Sequence, residues 1–460
     1  MLKTLSLSNF KAWSDLHIEF GRLTGIFGRN SSGKTSILQF LLLLKQTKDA
    51  TDQGLTLDLG GPSQLINLGT SQQILNRQAK TSTLRWTLSW HLPEVLKIVD
   101  PMGKRTDILF SSKHISLEVE IKVEEQDIQT QALAYIFDGY RFEIRSENAG
   151  SSHYLLEASS DSGREFQFIR HKGRAWKLPE PIKTHLFPDQ VKTYHQNANF
   201  LGLLETKYED LMSKIYYLGP LREPPQRNYQ WSRVQPWDVG YRGERAVEAI
   251  LAAKHRNEKR NLKKGGKYKT LEEVVAYWLK HLGLIQDFFI AEISPGSSLY
   301  EVKVQVDRAS DPVSLVDVGF GVSQILPVLV LVYYVPEDSI IIMEQPEIHL
   351  HPSAQSGLAD VLLQVAHHRK LSIIVESHSE HLLRRLQRRV AEGQYEAQDI
   401  KLYFCDRAKG RSILQDLQVN KFGEIHNWPQ NFFGDELSEI TATRKAALKR
   451  KIQEERTSQE

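Results

Sequence analysis

Cysteine is almost absent from this sequence, which contains only Cys405 among 460 residues. A single cysteine cannot form an intrachain disulfide and offers no thiol cluster that could hold zinc. Long apolar runs are lacking as well. The longest, from Ile325 to Val335, contains Pro327 and falls short of the ~18 apolar residues that a membrane span needs. No charged-then-apolar leader opens the chain. We therefore expect a soluble, cytoplasmic protein without a membrane partner.

A strong charge of one sign is also lacking. The chain has 59 Lys+Arg and 56 Asp+Glu, which gives a formal net charge of +3. A balance this small does not by itself indicate a nucleic-acid partner, because only local clustering of charge could do so. Hydrophobic residues make up 40% of the chain, enough for a large buried core, and the length predicts more than one domain or subdomain.

Strand patterns dominate the first part of the chain. Alternating apolar residues in LKTLSLSNF and LHIEF predict two paired strands. Several strand-like runs between residues 80 and 175, the last of them REFQFIRH, predict a mostly antiparallel sheet. From about residue 185 to 285 the pattern becomes helical.

The C-terminal part alternates apolar strands with amphipathic helices. The strands SIIIM and LSIIV are each followed by a helical segment. This alternation predicts a parallel sheet whose faces are covered by helices. The predicted fold class is therefore α/β.

One segment matches a phosphate-binding motif. Residues Gly28–Thr35 fit the P-loop pattern G-x-x-x-x-G-K-[ST], between a predicted strand and a predicted helix. In such a loop the backbone N–H groups surround the phosphates, the lysine reaches the β and γ oxygens, and the hydroxyl binds Mg²⁺. The strand and helix on either side make a chance match a poor alternative. We therefore predict ATP and Mg²⁺ as cofactors, with Thr35 on the metal and the nucleotide held by Asn30, Ser31, Ser32, Gly33, Lys34, Thr35 and Ser36.

A second strand supplies a candidate metal ligand. The apolar run Ser339–Met343 ends in Glu344, and a carboxylate at the end of a strand beside a P-loop is where Mg²⁺ is held. An acid after an apolar strand is common in isolation. Beside a P-loop, however, such an acid is a specific signal. Thr35 and Glu344 are therefore the predicted metal ligands.

Several segments together resemble one family. MEQPEIHLHP resembles the Walker B and D-loop region of ABC-type ATPases of the RecF, OLD and SMC branch, and VESHSEHLL resembles their switch-histidine segment, with His378 at the histidine. Asp317–Gln324 resembles a divergent form of their ABC signature. The resemblance covers both ends of the chain. It implies an ABC-type P-loop ATPase head with a mixed or parallel core sheet, an antiparallel β subdomain and a helical insertion.

The predicted domain organisation follows this resemblance. The head is interrupted by inserted segments, and the chain divides into an N-terminal head part with the P-loop, the β subdomain, the insertion with a basic run, the C-terminal head part, and a charged tail. The corresponding residues are 1–80, 81–180, 181–290, 291–440 and 441–460.

The resemblance also implies an assembly. In this family two heads dimerise head to head around two ATP molecules, so that the signature of one head faces the P-loop of the other. His378 would sense the γ-phosphate. The implied signature residues that contact the partner's nucleotide are Gly319, Gly321, Ser323 and Gln324.

One position departs from the family. Gln345 stands where these ATPases carry their catalytic glutamate. A glutamine amide can orient water but cannot accept its proton, so we expect slow hydrolysis. Glu347 is a candidate substitute base and, equally, an ordinary acid of the D-loop. The candidate catalytic residues are Glu344, Gln345, Glu347 and His378, and the candidates for a glutamine contact to Mg²⁺ are Gln64, Gln72 and Gln73.

Two charged segments remain. Lys254–Lys269 is the main basic run and could follow a phosphate backbone, although a solvated, flexible loop is the slightly favoured interpretation, because charge runs usually mark exposed faces. The tail from Thr441 to Glu460 mixes both signs at helical spacing and suggests a frayed helix or an arm that contacts a partner.

The sequence favours a regulatory ATPase. No Toprim nuclease domain follows His378 and no nuclease motif is recognisable elsewhere, so any cleavage would need a separate nuclease subunit. The resemblance narrows to stand-alone bacterial antiphage ATPases of the Septu type, which suggests an ATPase that oligomerises and controls such a nuclease. The alternative is a RecF-like DNA-repair ATPase that binds DNA directly. A transporter motor fits least, because of the large inserted middle.

Overall fold

The computed structural model describes most of the chain up to residue 447. Within that range the positions that it does not describe are 63, 105, 126, 148–152, 161–165, 174–176, 263–264, 430–440 and 442. Of the predicted tail, residues 441 and 443–447 are described and are helical, and the rest lies outside the described residues.

The described strands fall into two large sheets and two small ones. In chain order they are β1 (Leu2–Phe10), β2 (Trp13–Glu19), β3 (Leu23–Gly28), β4 (Thr83–Val99), β5 (Ile108–Val123), β6 (Ile128–Phe137), β7 (Tyr140–Ser146), β8 (Tyr154–Ser160), β9 (Ile215–Leu218), β10 (Tyr229–Gln230), β11 (Lys259–Asn261), β12 (Tyr268–Thr270), β13 (Asp287–Glu292), β14 (Leu299–Gln305), β15 (Val313–Ser314), β16 (Ile340–Glu344), β17 (Ser372–Glu376), β18 (Ile400–Ala408) and β19 (Arg411–Asp416).

The described α-helices pack between and outside these sheets. They are α1 (Lys34–Asp49), α2 (Asp189–Tyr194), α3 (Leu201–Ser213), α4 (Ala246–His255), α5 (Leu271–His281), α6 (Phe320–Tyr334), α7 (Pro352–His368) and α8 (Glu380–Ala391). None of the described helices has the length and apolar character that crossing a bilayer requires.

The first large sheet is antiparallel and has seven strands in the order β2-β1-β4-β5-β6-β7-β8. The turn between β6 and β7 uses Asp138 and Gly139, both with positive φ (55° and 77°), as a tight hairpin requires. The predicted strand REFQFIRH is wrong in its described part. Residues 166–169 are not in a strand, and only Arg170 makes an isolated bridge, to His195. The edge strand is β8 instead.

The second large sheet carries the nucleotide motifs. Its order is β19-β18-β3-β17-β16-β9, and every neighbouring pair is parallel except β18 with β19. The strand β9 lies within the segment that the sequence predicted to be helical. The prediction of an α/β fold with a mixed, largely parallel core sheet and a separate antiparallel sheet is confirmed.

Alternate residues of the parallel sheet point into two cores. On β3, Leu23 and Phe27 pack with the helices α4–α8, whereas Ile26 packs with α1, α3 and the antiparallel sheet. The helix α1 lies between the two sheets, and Leu41, Leu42 and Leu43 are all fully buried. A helix enclosed on nearly all sides needs apolar residues all round, which explains its unbroken leucine run.

The antiparallel sheet crosses the first predicted domain boundary. β1 and β2 belong to the same sheet as β4–β8, so residues before and after position 80 share one core. The five predicted segments otherwise stay predictions.

A buried histidine gives the fold a specific sensitivity to acid. His185 is 1% exposed and stacks on Tyr208 with ring centroids 4.7 Å apart. Neither ring nitrogen has a hydrogen-bond partner among the described residues, and Nε2 lies 3.6 Å from a carboxylate oxygen of the partly exposed Glu209. Burial, reinforced by the charges of Lys183 and Lys48, lowers its pKa from 6.5 to about 3. The ring is therefore neutral in the folded protein at pH values where it is already protonated in the unfolded chain.

Replacing this histidine should flatten the pH dependence of stability. Because the folded pKa is depressed, the unfolded chain binds more protons below pH 6.5, and stability falls as the pH drops towards 3. Between pH 7.5 and pH 5 the wild type should lose about 2 kcal/mol more than His185→Phe. Urea unfolding at both pH values measures this difference. Equal losses in the two proteins would show that His185 does not titrate as described.

Candidate functional site

The P-loop connects β3 to α1. Gly28 and Gly33 have φ values of 139° and 100°, which favour glycine. A Cβ on Gly28 would lie 2.1 Å from the carbonyl oxygen of Cys405 on β18, so the neighbouring strand also excludes a side chain there. Trp13 Nε1 donates to the carbonyl of Gly33 at 3.1 Å and fixes the end of the loop.

The side chains of the loop suit a polyphosphate. Lys34 is 3% exposed, and its Nζ donates to the carbonyl oxygens of Gly28 and Arg29 at 3.0 and 2.8 Å. Burial lowers the pKa of this ammonium. Ser32 Oγ is buried and has no hydrogen-bond partner among the described residues. A cation folded over the loop and an unsatisfied hydroxyl are groups that a phosphate would satisfy, so the residues fit ATP.

Glu376, which the sequence analysis did not predict as a site residue, contacts the P-loop. Thr35 Oγ1 lies 3.0 and 2.9 Å from the two carboxylate oxygens of Glu376, the last residue of β17, and donates its proton to them. Lys34 Nζ lies 4.0 Å from the same carboxylate. Burial, together with the charge of Glu344, raises the pKa of Glu376 to about 7. A hydroxyl and a carboxylate side by side are a donor set that fits Mg²⁺.

Glu344 lies beside Glu376 but has a different partner. The two residues pair in the parallel register of β16 and β17, which places both carboxylates at the carboxyl edge of the sheet. Glu344 is buried and accepts a hydrogen bond from Tyr217 Oη at 2.7 Å, and burial raises its pKa. The structure therefore pairs Thr35 with Glu376 rather than with the predicted Glu344.

One cavity of about 380 Å³ gathers the predicted P-loop residues. It is lined by the loop and by residues from the carboxyl ends of β16 and β17. The lining residues are Ala12, Asn30, Ser31, Ser32, Gly33, Lys34, Thr35, Ser36, Gln345, Glu376 and His378. The site thus combines residues from both ends of the chain, as the order of the motifs predicted.

The candidate catalytic residues separate into two groups. Gln345 and His378 line the cavity, and the backbone N–H of Gln345 donates to the carbonyl of Glu376 at 2.8 Å. Glu347 does not line it. One of its carboxylate oxygens accepts from Ser377 Oγ at 2.6 Å and from the His378 N–H at 2.9 Å, and burial raises its pKa. Glu347 therefore connects the loop that follows β16 to the loop that follows β17 and carries His378.

The signature residues lie away from the P-loop cavity of the same chain. Gly319 precedes the first turn of α6 and is exposed, whereas Ser323 and Gln324 are buried in that helix. Ser323 Oγ donates to the carbonyl of Phe320 at 2.9 Å. None of these residues, nor Gly321, is among the residues that line the cavity.

The three candidate glutamines do not reach the cavity either. Gln64 Nε2 donates to Asp58 at 2.9 Å, and Gln73 forms a capping box with Thr70. Gln72 is exposed, and none of the three lines the cavity.

The basic run is partly compensated by acids. Its described residues form the end of α4 and the hairpin β11–β12, while residues 263 and 264 lie outside the described part. Lys254 pairs with Glu272 at 2.8 Å, and Glu258 pairs with both Arg256 and Arg260. Nucleic-acid binding by this run stays a prediction.

Comparison with known families decides the class. The model of the AAA ATPase domain family matches residues 1–219 and 246–383, which is more than half of the chain. The chain belongs to the AAA ATPase domain family. A second model, for a family of proteins of unknown function (DUF3696), matches residues 396–442 of this ATPase. The prediction that the protein is an ATPase is thereby confirmed. Its place in the RecF, OLD and SMC branch, its antiphage role and its nuclease partner stay predictions.

Solved structures similar to this ATPase include three SMC heads. An SMC head bound to the C-winged helix domain of ScpA has 10% sequence identity and a TM-score of 0.45, and the match covers 91% of this chain and 98% of that one. The SMC head domain from Thermotoga maritima has 11% identity and a TM-score of 0.42, with 91% of this chain and 99% of that one covered. The Smc head with an extended coiled coil bound to the C-terminal domain of ScpA, from Pyrococcus furiosus, has 10% identity and a TM-score of 0.40, with 90% and 96% covered. At TM-scores this low the likenesses carry no argument about this chain. No curated protein matches the sequence.

Proposed function

We propose that this ATPase binds ATP with Mg²⁺ in the P-loop cavity and works as a slow, nucleotide-controlled switch. The observation that carries the proposal is the cavity itself, in which Lys34, Thr35, Glu376 and Gln345 face one space. Lys34 would exchange its two carbonyl partners for phosphate oxygens. Thr35 and Glu376, with Glu344 beside them, would hold the metal, which when bound neutralises phosphate charge.

Slow turnover follows from the groups that face the cavity. Gln345 can orient a water molecule through its amide but cannot take its proton. His378 lines the same cavity, where it would contact the γ-phosphate, and its pKa is lowered by burial and by the charge of Lys34. Glu347 is not among the residues that line the cavity, and it accepts hydrogen bonds from Ser377 and from the backbone of His378. We therefore favour Glu347 as a residue that positions this loop over a role as general base.

We further propose that two copies close around ATP. The exposed start of α6 is not among the residues that line the P-loop cavity of its own chain, and its N–H groups would contact a nucleotide held by a second copy. Phe320 beside it is 63% exposed, so an apolar ring is available for contact on this face. Closure would place a positive helix end against the γ-phosphate.

The substitution Gly319→Asp tests closure without harming the fold. A Cβ there would meet no atom within 4 Å, and Asp is a favoured residue at the start of a helix. Its charge would face the phosphates of the partner's ATP and should abolish an ATP-dependent increase in mass measured by analytical ultracentrifugation. Gly319→Asn, which is equal in size and neutral, is the control and should still dimerise. Dimerisation by both variants would contradict this arrangement.

We propose that the closed, ATP-bound form controls a separate nuclease subunit in the cytoplasm, as in Septu-type antiphage systems. The support is the family resemblance of the motifs, together with a nucleotide site suited to slow switching. DNA binding by the ATPase alone is the alternative. It predicts retention of duplex DNA that is lost when Lys254, Lys267 and Lys269 are neutralised, whereas the switch predicts nuclease activity that appears only with the partner and depends on Lys34.

A further inference from the structure

Arg222 is the most poorly satisfied charge near the nucleotide site. It follows β9, is 6% exposed, and makes one hydrogen bond, from Nη2 to the carbonyl oxygen of Glu344 at 3.3 Å. Its Nε and Nη1 are buried without a hydrogen-bond partner among the described residues. Burial lowers the pKa of the guanidinium to about 10, against the opposing effects of Tyr217, Glu344 and Glu347.

Arg369 is a second buried arginine of this molecule, and its hydrogen bonds are better than those of Arg222. Arg369, after α7, is also buried, and its Nη1 and Nη2 donate to the carbonyls of Val332 and Val335, both at 2.7 Å. These bonds satisfy the otherwise unpaired carbonyls at the end of α6. Burial lowers the pKa of Arg369 to about 10 as well. The two arginines are similarly buried, but only Arg369 forms short hydrogen bonds that offset the cost of burying its charge.

Burying a guanidinium with unsatisfied donors destabilises a fold. The penalty for removing the charge from water is recovered only when good hydrogen bonds or close ion pairs replace the lost hydration. The single long bond of Arg222 does not do this. Hydrogen bonding therefore does not account for an arginine here, which leaves its charge, attracted by the nearby buried carboxylates of Glu344 and Glu347.

The surroundings of Arg222 indicate what the charge does. It holds the backbone at Glu344, the residue where β16 ends and the loop of Gln345 begins. Tyr217, which binds the Glu344 side chain, is on β9 immediately before the Arg222 segment. The segment is itself fixed, because the Glu223 N–H donates to the carbonyl of Arg242 at 2.8 Å. Glu344 is thus held by its carboxylate and by its carbonyl, both from one side.

We propose that Arg222 is a positioning residue of the nucleotide site, which holds the end of β16 so that the Glu344 carboxylate and the Gln345 amide face the metal and the attacking water. It acts through these two residues and is not among those that line the cavity. This inference rests on the proposed function, since it assigns Arg222 to the ATP reaction of the same site.

The substitution Arg222→Met separates positioning from structure. Methionine keeps the length and flexibility of the side chain but removes the charge and the donors. We expect Tm to fall by less than in the Arg369→Met control. We expect a 10- to 100-fold lower kcat for ATP hydrolysis, a similar loss of Mn²⁺ affinity in the presence of ATP, and KM for ATP within about 3-fold. Arg222→Lys, which retains the charge, should recover part of kcat.

Arg369→Met is the matched control. Arg369 donates hydrogen bonds to carbonyls at the end of α6, and the variant loses these bonds. Arg369→Met should therefore lower Tm by several degrees and leave kcat and the Mn²⁺ affinity of its folded fraction unchanged. A drop in Tm for Arg222→Met comparable to that of Arg369→Met would show a structural role and overturn the proposal. Wild-type kcat and Mn²⁺ affinity in Arg222→Met would overturn it as well. Failure of the wild type to bind ATP would instead refute the proposed function, and the Tm comparison would still stand.

Discussion

The Lys34→Ala variant is expected to bind ATP about 100-fold more weakly than the wild type. The ammonium is almost fully buried and lies 4.0 Å from Glu376, where little water screens its charge. Its present partners are two backbone carbonyls, which leave the charge available for a phosphate. Binding of ATP in the presence of Mg²⁺, measured by isothermal titration calorimetry, gives the affinity.

Lys45→Ala provides the control for this variant. Lys45 is on the same helix α1, but it pairs with Asp49 at 3.2 Å and does not line the cavity. Its replacement should leave ATP affinity unchanged within about 2-fold. If Lys34→Ala and Lys45→Ala bound ATP equally well, the nucleotide would lie elsewhere on the molecule.

The Glu376→Gln variant is expected to hydrolyse ATP 10- to 100-fold more slowly than the wild type. The substitution preserves size and still allows one hydrogen bond from Thr35, but it removes the negative charge that faces both Thr35 and Lys34. Steady-state phosphate release at saturating ATP and Mg²⁺ measures the effect.

Glu347→Gln is the comparison that assigns the roles. Its carboxylate contacts Ser377 and the His378 backbone outside the cavity, so turnover should fall less than in Glu376→Gln. A larger loss for Glu347→Gln would restore the sequence-based alternative in which this residue is the base.

The local motifs of the site were predictable from sequence, whereas the contacts between residues of different motifs were not. The Gly28–Thr35 loop has a fixed pattern that its chemistry demands, and Glu344 follows an apolar strand. Glu376 also follows an apolar strand, LSIIV, and the same signal could have identified it. Its role depends on Thr35 across the sheet, a contact that the register of β3 and β17 creates and no local pattern encodes.

The fold shows the same division. The strands β4–β7 of the antiparallel sheet overlap alternating runs that predicted strands, because one face of each is buried, whereas β8 was not predicted. β9 was not predicted, because four residues with all side chains buried have no alternation to detect. That short strand carries Tyr217, so the contact that holds Glu344 was also beyond prediction.

The most direct test of the central claim is the uptake of Mn²⁺ with ATP, followed by electron paramagnetic resonance of the free ion. We propose that Thr35 and Glu376 hold the metal of one nucleotide site built from both ends of the chain. We therefore expect Glu376→Gln to weaken ATP-dependent Mn²⁺ binding at least 10-fold, while Glu347→Gln binds Mn²⁺ as the wild type does. Wild-type Mn²⁺ affinity in Glu376→Gln would contradict it.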